Sequence, residues 1–254
     1  MLRINISRLS KPFLLGRSST WVLLYALVLL AFAPNALGDS ARNLHLHYLP
    51  GFVAGSQRVF RPSRVAVLPA TGAMAAGDIN VGAIYSSTGT VTDTLNAQGL
   101  GKVVTDAVTH CLADAGLDAV AAEQSRAIPP DADFALTTSI ESVSVVKRFG
   151  EEHTVHGQVF TMKAIVRLHF TLSSRTHPSL FEATITGTED EPPAKVGHEV
   201  FFPLETEPEE SLSVALSRSV GSLILEPGFR RVLPLVNQTA AIPATPGKIA
   251  AALP

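Results

Sequence analysis

The sequence is poor in the residues that most often carry chemistry. It has one cysteine, Cys111, which excludes an internal disulfide framework and a cysteine-rich zinc site. Aromatic residues make up 6% and the single tryptophan, Trp21, lies near the start, so the stacked platforms of a sugar-binding cleft are missing. Charged residues are 17%, and 20 Lys plus Arg against 22 Asp plus Glu leave no basic excess of the kind a nucleic-acid binder carries. Apolar residues are nonetheless 46%, enough for a packed core in 254 residues and too many for a globally disordered chain.

Only one long apolar run is present, and its surroundings give it a meaning. Arg3, Arg8, Lys11 and Arg17 precede it without any acid, Trp21 to Ala33 forms it, and Pro34-Asn35-Ala36-Leu37-Gly38 follows. This is the layout of a secretory signal, with small residues at 36 and 38 for the peptidase subsites, so residues 1–38 are read as a signal peptide cut before Asp39. The run is short against the roughly 20 residues of a membrane span; an uncleaved anchor extended through Phe13-Leu14-Leu15 is the alternative. Losing the four bases leaves 16 bases and 22 acids, a mildly acidic chain expected in the periplasm with no direct membrane span.

The rest divides into an extended lead-in over 39–62, one α+β domain over 63–233 and an Ala/Pro-rich tail over 234–254 that reads as disordered. Strands are expected at Arg64–Pro69 and Ile79–Tyr85. Leu100 to Ala115 is a helix with an apolar stripe at Leu100, Val103, Val104, Ala107, Val108, Cys111, Leu112 and Ala115, closed by Gly116. A strand returns at Leu117–Ala122. Asp133–Phe149 is a long strand whose apolar phase slips near Glu141–Ser142, predicting a bulge. Val159–Leu172 alternates strictly, with Phe160, Met162, Ala164, Val166, Leu168, Phe170 and Leu172 on one face. Leu180–Thr188 pairs back on it. A second helix starts near Thr206, with Thr206 and Glu209 as a capping box, and stops at Glu226-Pro227-Gly228. This order predicts a two-layer α+β sandwich, a mostly antiparallel sheet with two helices on one face.

Catalytic, cofactor and metal patterns all fall short. Gly99-Leu100-Gly101-Lys102 precedes a helix, but Asn96 and Val103 stand where a phosphate loop needs Gly and Ser or Thr, and Val104 replaces the third glycine of a dinucleotide loop. His45 with His47 and His153 with His156 are paired by spacing, and His198 stands near Glu199, yet no three-ligand zinc pattern is complete. A dispersed hydrolase site would require His153, His156 or His198 to converge with an acid. Cys111 falls on a buried stripe, and Glu189-Asp190-Glu191 reads as a solvated strand end. No catalytic residue, cofactor or metal is therefore assigned. The unusual segments are the polar loop Ser86–Thr90, with Ser86 and Thr88, and Phe201, Phe202 and Leu204 around Pro203. Two adjacent phenylalanines in a connection either plug the sheet's open face or contact a partner. A carrier reading puts an apolar pocket beside Phe160, Met162 and Phe170.

Ile79-Asn80-Val81-Gly82-Ala83-Ile84-Tyr85 leading through a polar loop to the helix Val103–Ala115, then Gly116-Leu117-Asp118-Ala119-Val120 and Asp133-Phe134-Ala135-Leu136, resembles the YajG-type lipoproteins and the ABC-type transport auxiliary lipoproteins over about residues 64–225. The resemblance implies a non-enzymatic envelope protein that serves a transport or assembly complex, such as a lipid-transport system. It carries no site residues with it. Those families begin at a lipidated cysteine, and none stands at that position here.

Overall fold

The computed structural model describes residues 40–50, 59–123, 128–154, 157–191 and 207–233. The signal-like residues 1–38, the tail from 234, and Phe201, Phe202, Leu204 and Thr206 lie outside them.

The sheet is organised by one strand. The 21-residue β6 (Phe134–Thr154) pairs antiparallel along its whole length with β7 (Gly157–Ser174), and β8 (Phe181–Glu191) pairs antiparallel with β7. The opposite edge of β6 is shared. The strand β2 (Arg64–Val67) lies beside Phe134–Leu136, Thr71 bridges to Ser139, and β3 (Asp78–Tyr85) lies beside Val145–Arg148. The chain from 64 to 85 thus follows β6 in the same direction, leaving it only between the two strands. Outside β2 is β5 (Asp118–Ala121), parallel; outside β3 is β4 (Val91–Gln98), antiparallel; outside β4 is β1 (Ser40–Leu44), parallel.

Four of the seven pairings are therefore parallel, and the sheet is mixed rather than mostly antiparallel. The α+β class holds. The error has a physical source: a helix between two strands returns the chain to the end it left, which makes β2 and β5 parallel, and the period-two pattern of a strand reports its faces but not its partner's direction.

Local signals fare better. Helix α1 (Leu100–Asp114) buries Leu100, Val104, Ala107, Val108, Cys111 and Leu112. It ends with Gly116 in the left-handed region (φ 101°), Gly116 N–H on Ala113 O (3.0 Å) and Leu117 N–H on Leu112 O (3.1 Å), the paired bonds of a Schellman cap. The bulge falls where the phase slip placed it, with the β6–β7 register shifting between Ile140 and Ser142. It turns Glu141 outward to Arg167 Nε (2.7 Å) and lets Ile140 and Val143 both reach the core.

Helix α2 (Pro208–Leu225) starts one residue later than the expected box. Glu207 is the N-cap, without a side-chain cap bond, and Pro208 opens the helix. It is buried nearly all round, including Ser211, Ser213, Ser217 and Ser219. One side lies on β8 so closely that a Cβ at Gly187 would overlap the Ala215 carbonyl oxygen. The lead-in covers another side: His47 N–H donates to Ser213 Oγ (3.2 Å) and Leu49 N–H to Ser217 Oγ (2.8 Å). Serines suit this position because a small hydroxyl admits a passing backbone and accepts its donors.

A third, short helix was not expected: α3 (Pro227–Val232) follows directly and buries Phe229 edge-on between Phe60 and Phe181, at centroid separations of 5.8 and 5.4 Å. No helix among the described residues is long and apolar enough to cross a membrane.

Candidate interaction surface

At one end of the sheet β6 and β7 continue as a pair past the end of β3. The last partner of β3 is Tyr85 opposite Arg148, and the last of β8 is Glu191 opposite Met162. Beyond Arg148, β3 turns away into its hairpin loop, while β6 and β7 stay paired as a ribbon through Phe149 opposite Phe160 to Thr154 opposite Gly157.

The base of this ribbon is aromatic and cationic. Phe149 and Phe160 are half-buried and meet at 6.3 Å and 67°, a T-shaped pair. Lys147 stands on the same face of β6 as Val143, Val145 and Phe149. It is only 3% exposed, with Nζ 4.4 Å from the Phe160 centroid and 5.3 Å from that of Phe149. An ammonium against two ring faces gains about 1–2 kcal/mol where water is excluded. On the other face Arg148 Cζ lies 4.8 Å from the Tyr85 ring.

Tyr85 leads into the turn that carries two of the predicted residues. Ser86 and Thr88 sit at this same end, in the β3–β4 hairpin loop. Their hydroxyls are taken up locally: Ser86 Oγ meets Thr88 Oγ1 at 2.8 Å and accepts Thr90 N–H at 3.1 Å. They shape the turn and thereby place Tyr85 against Arg148. Phe149 and Lys147 were missed as site residues. The available signal was a lysine at an apolar phase position between Val145 and Phe149.

The other sequence candidates find structural partners. In the glycine loop, Gly101 N–H donates to Ala75 O (3.1 Å) and Thr105 Oγ1 accepts Ala70 N–H (2.9 Å), so chain segment 70–75 occupies the place a phosphate would need. Lys102 pairs with Asp106 at 2.7 Å. Burial pushes the Cys111 thiol up to about 11, reinforced by Asp114 and opposed by the Tyr48 hydroxyl, so it stays protonated near neutrality. Glu189 pairs with Arg218, which also donates to Thr188 O (2.6 Å), and Asp190 lies 3.9 Å from Lys163. Among the described residues no group of three or more His, Cys, Asp or Glu is placed to hold a metal. His45 and His47 lie in the lead-in, and the side chains of His153, His156 and His198 lie outside the described residues.

On the sheet's wet face, His169 Nε2 lies 3.2 Å from Glu182 Oε1 and Nδ1 3.0 Å from Thr184 Oγ1, whose hydroxyl donates to Glu141 (3.2 Å). This resembles a hydroxyl–imidazole–carboxylate relay, but the three groups come from neighbouring positions on flat strands, and neither described groove includes them. Met162 and Phe170, expected beside a carrier pocket, are fully buried in the core. The grooves, of about 450 and 430 Å³, lie elsewhere: one between the lead-in and α1, the other beside β5.

No family model matches the sequence, and no curated protein matches it. Solved structures of similar chain course include a DUF330 protein from Xanthomonas campestris (11% identity, 73% of this chain and 92% of that one, TM-score 0.42). PelC from Paraburkholderia phytofirmans, crystallised as a dodecamer, is 16% identical over 67% of this chain and 92% of its own (TM-score 0.35). A homologue of neuraminyllactose-binding hemagglutinin from Helicobacter pylori is 12% identical over 75% and 98% (TM-score 0.37). The neighbours are bacterial proteins, one of them from the DUF330 family, and the YajG-type assignment does not follow from them.

Proposed function

We propose that the chain is a non-enzymatic protein of the bacterial cell envelope, an adaptor that holds a protein partner of a transport or assembly complex at the ribbon end of its sheet. The observation that carries this reading is the β6–β7 pair running past β3 with Phe149, Phe160 and Lys147 at its base. Such an end presents an aromatic anchor of the kind that dominates binding energy. The signal-like residues 1–38 support export, and the resemblance to transport auxiliary lipoproteins supports the class of partner.

The test is site-specific photo-crosslinking in intact cells. A photoreactive residue is placed at Arg148 or Thr161, both exposed at the ribbon base, and at Asp118 on β5 as control. Repeated capture of one envelope protein from 148 and 161, absent from 118 and lost in a Phe149→Ser, Phe160→Ser double variant that still folds, is the expected result. Equal capture from Asp118, or no capture at either ribbon position, overturns the reading.

A further inference from the structure

A groove lies between the lead-in and α1. Its α1 wall carries two rows at helical spacing, Val103 with Ala107 and Asp106 with His110 and Asp114. The first row is apolar. The second presents acceptors: the His110 Nδ1–H donates to Asp106 O (2.7 Å), so that in the neutral ring Nε2 is an acceptor, and the Asp114 carboxylate makes no hydrogen bond or ion pair among the described residues. Asp114 is also the last residue of α1, whose final turn has no basic residue to offset the negative end of the helix dipole.

Tyr48 forms part of the facing wall. The residue is half-buried while its hydroxyl is shielded from solvent beside Cys111 and Asp114, so the groove meets the ring rather than the oxygen. Among the described residues no Lys or Arg lines the space, and Lys102 is held by Asp106.

An aromatic wall, an apolar row and unpaired acceptors at a helix C-terminus are the elements that recognise an organic cation. We propose that this groove, of about 450 Å³, binds a small alkylammonium ion, with the charged head at Asp114 and His110 Nε2 beside the Tyr48 ring, and the alkyl chain along Val103 and Ala107. The volume suits a ligand of modest size.

Calorimetric titration of the full chain with n-hexylammonium and with n-hexanol, followed by NMR of the His110 and Tyr48 rings, tests this. Saturable hexylammonium binding is expected, with hexanol about tenfold weaker and Asp114→Asn about tenfold weaker, because a charge-assisted bond is lost in each case. Asp114 is exposed at a helix end, and its near-isosteric replacement leaves the fold intact; Tyr48→Phe, which keeps the ring, should bind nearly as well. Absence of saturable binding, equal affinity for hexanol, or undiminished affinity in Asp114→Asn overturns the proposal.

Discussion

The Lys147 ammonium lies 4.4 Å from the centre of the Phe160 ring, on the core-facing side of the sheet. A lysine this deeply buried stands at the point where the apolar face ends and the ribbon begins. Replacing Phe160 by Leu keeps apolar bulk and removes the ring, and should cost about 1–2 kcal/mol in urea unfolding. Lys147→Met should cost less than Lys147→Ala, since methionine refills the space. Equal losses for Met and Ala would show that the charge itself holds the ribbon base.

Gly187→Ala should be the most damaging small change on β8. The added Cβ would meet the Ala215 carbonyl, and backbone on both sides must move apart. A loss of about 3 kcal/mol or more is expected in the unfolding free energy, against less than about 1 kcal/mol for Thr186→Ala on the exposed face.

The lead-in is held to α2 by side-chain acceptors, so its attachment can be weakened locally. Ser217→Ala leaves the Leu49 N–H without its partner at 2.8 Å. The expected cost is about 1 kcal/mol, with faster hydrogen exchange at Leu49 and unchanged protection in the middle of β7. Uniform acceleration throughout would mean that the lead-in and sheet open as one unit.

The Cys111 thiol gives stability a defined alkaline dependence. Its native value of about 11 lies above the ordinary 9.0, so the folded chain holds its proton where the unfolded chain has lost it. That contribution is fully present below about pH 9 and is lost as pH rises towards 11, with a total of roughly 2–3 kcal/mol. Burial shifts Tyr48 upward too, in the same sense at higher pH. Unfolding curves of wild type and Cys111→Ala should therefore converge between pH 9 and 11. A thiol reagent should label the native protein only at the rate of its opening.

How much of this was legible beforehand depends on the range of the interaction. The α1 stripe, its Gly116 cap, the slip at Glu141 and the alternation of β7 are set by residues within a turn or two of one another, and each was readable from spacing. The capping box at Thr206 failed by one position because Glu207 and Pro208 compete for the same start. Ser86 and Thr88, singled out in the sequence as partner-binding candidates, have hydroxyls that serve the turn.

By itself, the sequence determined the α+β class, the faces of the main strands and the burial of Cys111, because apolar periodicity and small-residue punctuation are local. Only the tertiary structure decided that four pairings are parallel, that the chain from 64 to 85 shares one edge of β6, that serines on α2 receive the lead-in, and that β6 and β7 continue past the end of β3. Those outcomes depend on which distant segments meet and how long each strand is relative to its partners. Strand direction and relative length leave no periodic trace along a single chain, and so the ribbon and the α1 groove emerge only when the elements are assembled.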